Sequence, residues 1–161
     1  MDQDRFVKEF LDSNKIEYKT YSHPAIFTVH ESHNNPDVKK IPGLRTKSLF
    51  LKDNNSNFYL ICLGGEKRLN TKLLKSHFKI KSLNFSSPEE LWQELKVKPG
   101  SVSIFCILNS ARTTLVVDKE VLESAESGFH PNINTETIVL SSENLKKFLG
   151  MIENRKEILE L

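Results

Sequence analysis

The sequence predicts an α/β fold of the α+β type, in which a mixed, mostly antiparallel curved sheet is surrounded by helices. Two observations lead to this prediction. Short apolar segments typical of strands are interspersed with amphipathic segments of helical spacing. The strands are joined by hairpins and short connections, which favour antiparallel pairing over a doubly wound sheet. A length of 161 residues suits one domain, so we assign residues 1–161 to a single domain.

Five helices are predicted, of which residues 88–95 form the clearest. Ser87 is a good N-cap, Pro88 favours the first helical position, and Glu90 completes a capping box. Apolar residues at helical spacing or helix-favouring composition indicate the others, at residues 4–14, 70–77, 120–123 and 143–151.

The strands are predicted from apolar and β-branched runs between turn residues. Residues 46–52 and 58–63 are joined by a polar turn and should form an antiparallel hairpin. Further extended segments are expected at residues 17–21, 26–30, 83–85, 103–108, 113–118, 136–140 and 157–161. Residues 32–43 are polar and contain proline, which indicates a long loop.

The two cysteines, Cys62 and Cys106, each lie within an apolar run. We expect both to be buried free thiols in strands, and neither a disulfide nor a nucleophile. The first residues are acidic and do not resemble a signal peptide, and no apolar stretch reaches about 18 residues. A reducing, cytoplasmic setting is therefore expected.

Several chemistries lack their sequence signatures. The chain contains no glycine-rich dinucleotide fingerprint, phosphate loop, Gly-x-Ser-x-Gly elbow or Cys-x-x-Cys pair. His23, His30 and His33 are spaced neither as a helical metal-binding pair nor as zinc-finger ligands. We therefore expect no metal and no cofactor.

Positive charge is concentrated in one part of the chain. Residues 39–81 hold eleven Lys and Arg against two acidic residues, a balance of +9, whereas the remaining residues hold 12 against 19, or −7. The candidate nucleic-acid-binding residues in this segment are Lys67, Arg68, Lys72 and Lys75. A polyanion such as nucleic acid is the natural partner, and a merely solvated helix face is the alternative.

The segment Gly128-Phe129-His130-Pro131-Asn132 is predicted to be a turn that aims one imidazole. Glycine accepts φ > 0, and proline pushes the residue before it into an extended conformation. His130 could then exchange a proton near neutral pH, while an oxyanion could approach the backbone N–H of Gly128. An ordinary structural turn would have the same composition, so both interpretations stay open.

Taken together, six segments resemble the YbaK-like aminoacyl-tRNA deacylases, and within them the prolyl-tRNA editing domain group (PrdX and ProXp-ala). The matching segments are His23-Pro24-Ala25-Ile26-Phe27-Thr28-Val29, Thr46-Lys47-Ser48-Leu49-Phe50-Leu51, Lys67-Arg68-Leu69, Ser87-Pro88-Glu89-Glu90-Leu91-Trp92, Pro99-Gly100-Ser101-Val102 and Gly128-Phe129-His130-Pro131-Asn132. The resemblance spans nearly the whole chain and implies a single YbaK-like editing domain.

The resemblance implies hydrolysis of the ester that joins a wrong amino acid to tRNA, foremost alanine on a proline tRNA. It carries the catalytic residues of the family onto Lys47, Gly128 and His130. In this family a ribose hydroxyl of the terminal adenosine takes part in activating water, so the protein would chiefly position groups and stabilise an oxyanion. The implied partners are mischarged proline tRNA and a prolyl-tRNA synthetase.

The resemblance also implies a small pocket that admits alanine and excludes proline. The candidate wall residues are Ile26, Phe27, Thr28, Ser48, Phe129 and Pro131. Ser48 stands where related proteins often have asparagine, which leaves serine or cysteine open as the amino acid removed. Two other classes of function remain: a non-catalytic module that binds tRNA or a synthetase, and a hydrolase of small free esters.

Overall fold

The computed structural model describes residues 2–26 and 29–161, apart from the side chains of Val29, Ser32 and His33. Within these residues eight strands form one sheet. They are β1 (Lys19–Ser22), β2 (Leu44–Asp53), β3 (Phe58–Gly64), β4 (Leu83–Phe85), β5 (Thr114–Asp118), β6 (Glu126–Phe129), β7 (Glu136–Ser141) and β8 (Lys156–Leu159). The strand order is β1-β7-β6-β2-β3-β5-β8, with β4 added to the edge of β2.

The sheet is mixed and mostly antiparallel, as predicted. Strand β2 pairs antiparallel with β3 and β4, and β7 pairs antiparallel with β1 and β6. The parallel pairs are β2 with β6, β3 with β5, and β5 with β8. The predicted hairpin of residues 46–52 and 58–63 is confirmed as the contact between β2 and β3.

The helices pack around this sheet. They are α1 (Gln3–Ser13), α2 (Val29–Asn34), α3 (Pro36–Lys39), α4 (Thr71–Phe78), α5 (Pro88–Leu95), α6 (Lys119–Glu123) and α7 (Ser142–Met151). The predicted capping box of α5 is present, because Ser87 Oγ accepts from the N–H of Glu90 and the Glu90 carboxylate accepts from the N–H of Ser87. No helix in the described part of the chain is long and apolar enough to cross a membrane.

Alternation along the strands divides the apolar residues between the two faces of the sheet. Phe50 and Leu60 lie in the main core, whereas their neighbours Leu51 and Ile61 lie in a second core on the opposite face. A third, small cluster covers the part of the sheet near β7. It consists of Ile26, Val38, Ile41 and Val139, with Tyr21 packed against it.

The strand predicted at residues 103–108 is wrong, because Ile104–Asn109 forms a 3-10 helix. Ser103 starts it by accepting a hydrogen bond from the N–H of Phe105 at 3.1 Å. The apolar run is buried on all sides, so it has no periodicity that separates helix from strand. Cys106 is thus a buried free thiol as expected, although in a helix, and Cys62 is the expected buried thiol in β3.

The segment before β2 also differs from the prediction. Residues 26–30 were expected to form a strand, but His30 lies in helix α2, and Phe27 and Thr28 lie outside the described residues. Helix α3 interrupts the predicted loop of residues 32–43, since the side chain of Asn35 accepts hydrogen bonds from the N–H groups of Asp37 and Val38. A polar N-cap followed by proline starts a helix even in a polar segment.

Candidate active site

A gap in the pairing of β2 defines the candidate site. Strand β6 pairs with β2 only at Leu44 and Arg45, and β4 pairs with it only from Leu51 onward. Between these points no described strand covers this edge of β2. A cavity of about 920 Å³ lies at the gap and is lined by residues 43–50 of β2 and its approach.

Most of the predicted catalytic and wall residues line this cavity. They are Lys47, Gly128 and His130 among the predicted catalytic residues, and Ile26, Ser48 and Phe129 among the predicted wall residues. Pro131 is buried but does not line the cavity. The predicted wall residues Phe27 and Thr28 lie outside the described residues.

The parallel register of β2 and β6 explains how Lys47 and His130 come to the same cavity. Arg45 lies opposite Gly128 in this pair. Lys47 lies two residues after Arg45, and His130 lies two residues after Gly128. Residues two apart along an extended segment point to the same face. Two segments more than 80 residues apart in sequence therefore contribute a lysine and a histidine to the lining of the same cavity.

The Lys47 side chain carries a charge without a counterion. It is half-buried, and it makes no hydrogen bond or ion pair with any described residue. Burial lowers the pKa of its ammonium group. Because alternation places it on the same face as the second-core residues Leu49 and Leu51, it is a cation at the rim of an apolar surface, available to an anionic ligand or a developing negative charge.

The His130 ring has a defined hydrogen-bond state. Its Nδ1 lies 3.2 Å from the backbone carbonyl oxygen of Glu136, and since a carbonyl only accepts, Nδ1 carries a proton. Burial lowers the pKa of His130, whereas the hydrogen bond to the Glu136 carbonyl raises it and the proximity of His23 lowers it. The neutral ring thus keeps a lone pair on Nε2 and can accept a proton.

Gly128 occupies a strand and not the predicted turn. It lies in β6 between β2 and β7, and its φ is not in the positive range; Asn132, at φ 62°, is the residue of this segment with left-handed backbone. The position leaves little room for a side chain, since a Cβ on Gly128 would lie 3.0 Å from Cγ2 of Thr137. The Gly128 carbonyl also accepts a hydrogen bond from Oγ1 of Thr46 at 2.6 Å.

Sequence reasoning considered His23 only as a metal ligand and missed its place in the site. His23 is buried, and its ring centroid lies 6.2 Å from that of His130. Its Nδ1 donates to the Pro24 carbonyl at 2.9 Å, so Nε2 faces the hydroxyl of Thr137 at 2.8 Å. The sequence held one signal for this, because His23 opens the first of the segments that resemble the editing family.

The side chains of Phe129 and Ser48 face away from Lys47. Phe129 is 2% exposed, and its ring packs edge-on against Phe105 in the main core. Ser48 lies opposite Cys62 of β3, and burial raises the pKa of Cys62 to about 12, so this thiol is not a nucleophile at neutral pH. Both residues still line the cavity, because the cavity opens at the edge of the sheet and its wall includes residues from both faces of the sheet.

The expected basic surface needs one correction. Lys67 was predicted to bind nucleic acid, but its Nζ lies 2.7 Å from Oδ2 of the buried Asp118 and 3.3 Å from Oε2 of Glu120. The hydrogen bond to Asp118 raises the pKa of Lys67. Lys67 is therefore already paired with two carboxylates of the chain, whereas Arg68 is exposed just before α4 and Lys72 is exposed in α4, and neither lines the cavity.

Comparison with known proteins identifies a family for this chain. The profile of the aminoacyl-tRNA editing domain family matches residues 23–148. The prolyl-tRNA editing protein ProX of Acetoanaerobium sticklandii is 31% identical over the whole chain and 99% of its own length. The prolyl-tRNA synthetase associated domain-containing protein 1 of Danio rerio is 29% identical over 95% of this chain and 84% of its own length.

A solved structure shares the fold. A protein described as a candidate trans-editing enzyme for prolyl-tRNA synthetase superposes with a TM-score of 0.78, covering 100% of this chain and 97% of the other. The two sequences are only 18% identical, so this likeness supports the architecture alone.

Proposed function

Because the chain belongs to the aminoacyl-tRNA editing domain family, we propose that it is a trans-editing hydrolase that removes alanine from mischarged proline tRNA. Membership of the family makes it an enzyme, a deacylase that hydrolyses the carboxylic ester of an aminoacyl-tRNA. The observation that carries the finer proposal is the meeting of Lys47, Gly128 and His130 at one cavity. In the cytoplasm, where we place the protein, mischarged tRNA would reach it after leaving the synthetase.

The proposed reaction is attack of water on the carbonyl carbon of the ester. The new carbon–oxygen bond converts the carbonyl to a tetrahedral oxyanion, which collapses as the bond to the ribose oxygen breaks. The proton lost by water reaches the departing ribose oxygen, either through Nε2 of His130 or through the neighbouring ribose hydroxyl. The products are the free amino acid and a tRNA with a free terminal hydroxyl.

Lys47 suits the electrostatic part of this reaction. A cation without a counterion among the described residues is available to an oxyanion or to the phosphate next to the terminal adenosine. His130 suits the proton-transfer part, because its neutral ring retains a lone pair on Nε2. Neither role requires a metal or an organic cofactor.

A physical reason favours alanine as the amino acid removed. A synthetase site built for proline rejects a smaller apolar amino acid only weakly, since lost apolar contacts discriminate by about 1–3 kcal/mol. A second site that excludes proline by size supplies the missing discrimination. Ile26, Ser48 and Phe129 are the described wall residues that we propose to set this size limit.

For tRNA, we propose a contact through three basic residues outside the cavity lining. Arg68, Lys72 and Lys75 lie on α4 and its approach, and none of them has an ion-pair partner among the described residues. Phosphates of the acceptor stem are the expected ligands. A direct contact with prolyl-tRNA synthetase would bring the protein close to its substrate, and we propose it as a second, weaker interaction.

Deacylation of a tRNA panel tests the proposal. Proline tRNA charged in turn with alanine, serine, cysteine or proline is incubated with the wild-type protein and with Lys47→Ala. We expect the wild type to release alanine fastest and to spare proline, and the variant to act near the background rate. Equal background rates for both proteins on every substrate would rule out an editing enzyme and favour a non-catalytic binding module.

A further inference from the structure

The uncovered edge of β2 exposes backbone groups that no described strand uses. The direction of these groups follows from two hydrogen bonds on either side of the gap. The Arg45 carbonyl accepts from the N–H of Gly65 at 2.7 Å, on the β3 side, whereas the Phe50 carbonyl accepts from the N–H of Ser86 at 3.0 Å, on the opposite side. Backbone groups alternate sides along a strand, so Ser48 directs its N–H and C=O away from β3 and into the gap.

The gap is large enough for a ligand and holds a second unsatisfied group. The cavity is lined by Ser48 together with Ser86 on one side of the gap and Gly128 on the other. Ser86 Oγ is buried and has no hydrogen-bond partner among the described residues. Unsatisfied polar groups beside an open strand edge indicate a site that a polar ligand completes.

We propose that the backbone of Ser48 binds the aminoacyl group of the substrate as though it were one residue of an added strand. In an antiparallel pair, two opposed residues exchange both N–H···O=C hydrogen bonds. An aminoacyl ester carries the same two groups: its α-ammonium donates to the Ser48 carbonyl, and its ester carbonyl accepts from the Ser48 N–H. This inference rests on the proposed function and names the oxyanion donor of that site.

The proposed pairing assigns the oxyanion contact to Ser48 in place of Gly128. Gly128 lies inside the sheet between β2 and β7, where backbone groups serve the ladders, whereas Ser48 lies at the uncovered edge. Negative charge on the ester oxygen strengthens a hydrogen bond from an N–H that already points at it. The register also directs the side chain of the bound amino acid to the same face as the Ser48 side chain, which makes Ser48 a specificity residue as well.

Amide hydrogen exchange measured by NMR tests the pairing without any mutation. In the free protein we expect the amide of Ser48 to exchange faster than those of Lys47 and Leu49, which face β3. Saturation with 3′-deoxy-3′-(L-alanylamino)adenosine, a non-hydrolysable analogue, should slow exchange at Ser48. The matched control is the 3′-propionylamino compound, which lacks only the α-ammonium and should bind at least about tenfold more weakly.

Replacing Ser48 with its α-hydroxy acid counterpart, which exchanges the N–H for an ester oxygen and keeps the side chain, gives a kinetic test. Loss of one oxyanion donor should lower kcat about 10²- to 10³-fold. The same replacement at Leu51, whose N–H also faces β3 and which does not line the cavity, should leave kcat of the folded protein within a few-fold. If wild-type protein deacylates tRNA while the analogue leaves the Ser48 amide unchanged, this inference fails and the proposed function stands. If wild-type protein deacylates no member of the panel, the proposed function itself fails.

Discussion

Thr137 lies diagonally across from Gly128 on the paired strands β6 and β7, two residues from Val139, which is the partner of Gly128, and a Cβ on Gly128 would lie 3.0 Å from the Thr137 methyl group. The Thr137 hydroxyl meanwhile bonds His23, which lies beside His130. We predict that Gly128→Ala displaces Thr137 and lowers kcat about tenfold or more, with little change in KM. Steady-state deacylation of alanyl-tRNA measures both constants.

The paired variant Gly128→Ala with Thr137→Ser provides the control. Serine keeps the hydroxyl for His23 and removes the methyl group that the alanine would crowd. The double variant should therefore recover most of the lost kcat. A double variant as slow as Gly128→Ala alone would mean that the glycine acts through its backbone and not through the space it leaves.

Lys47→Met should abolish deacylation without destabilising the fold. A half-buried ammonium without a counterion opposes folding at neutral pH, because burial disfavours its charged form. The melting temperature of Lys47→Met should therefore equal or exceed that of the wild type. Lys52→Met on the same strand is the matched control: Lys52 pairs with Glu90 at 2.6 Å outside the cavity lining, so its loss should leave deacylation intact.

The pH dependence of deacylation should reflect the lowered pKa of His130. A ring whose pKa lies below the ordinary 6.5 stays neutral, and able to accept a proton, at pH values where an exposed histidine is already protonated. In a plot of kcat/KM against pH, the decrease on the acidic side should therefore have its midpoint below pH 6.5. His130→Gln should remove that decrease and slow the reaction; a decrease that persists unchanged in the variant would assign it to another group.

The same shift affects stability. As pH falls below 6.5 the unfolded chain takes up a proton on residue 130 before the folded chain does. The contribution of the neutral ring to the free energy of unfolding is therefore full above pH 6.5 and is lost as the pH falls towards the folded-state pKa. Urea unfolding of wild type and His130→Gln at pH 7.5 and 5.5 should show a smaller loss on acidification in the variant.

The sequence predicted the hairpin, the capping box of α5 and the type of sheet because each depends on local signals. Ser87, Pro88 and Glu90 lie within one turn, and the β2–β3 pair is joined by a short polar turn. Local signals failed for Ile104–Asn109, where an apolar run buried on all sides has no preferred period. They also could not place the gap in the sheet, since the strands that flank it, β4 and β6, come from distant parts of the chain.

The candidate site likewise combines residues that the sequence indicated with features that only the fold reveals. The resemblance pointed to Lys47 and His130, and the parallel register of β2 and β6 brings them together. The resemblance did not reveal that Gly128 leaves room for the Thr137 methyl group, because a glycine in a sequence is most readily interpreted as part of a turn. Lys67 was misjudged for a related reason: its partner Asp118 lies 51 residues away, and a run of basic residues looks uncompensated until the fold is known.

Lys67 and Lys72 should therefore behave differently although both belong to the basic segment. Lys67→Ala leaves the carboxylate of Asp118, 1% exposed, without its ion pair, and should lower the free energy of unfolding by about 1–3 kcal/mol. Lys72→Ala removes an exposed charge on α4 and should change stability by less than about 0.5 kcal/mol.

If Lys72 contacts a phosphate, the slope of the logarithm of tRNA affinity against the logarithm of salt concentration should flatten by roughly 1 in Lys72→Ala. Chemical denaturation and a salt titration of tRNA binding measure these effects, and an unchanged slope for Lys72→Ala and Lys75→Ala together would move the tRNA contact away from α4.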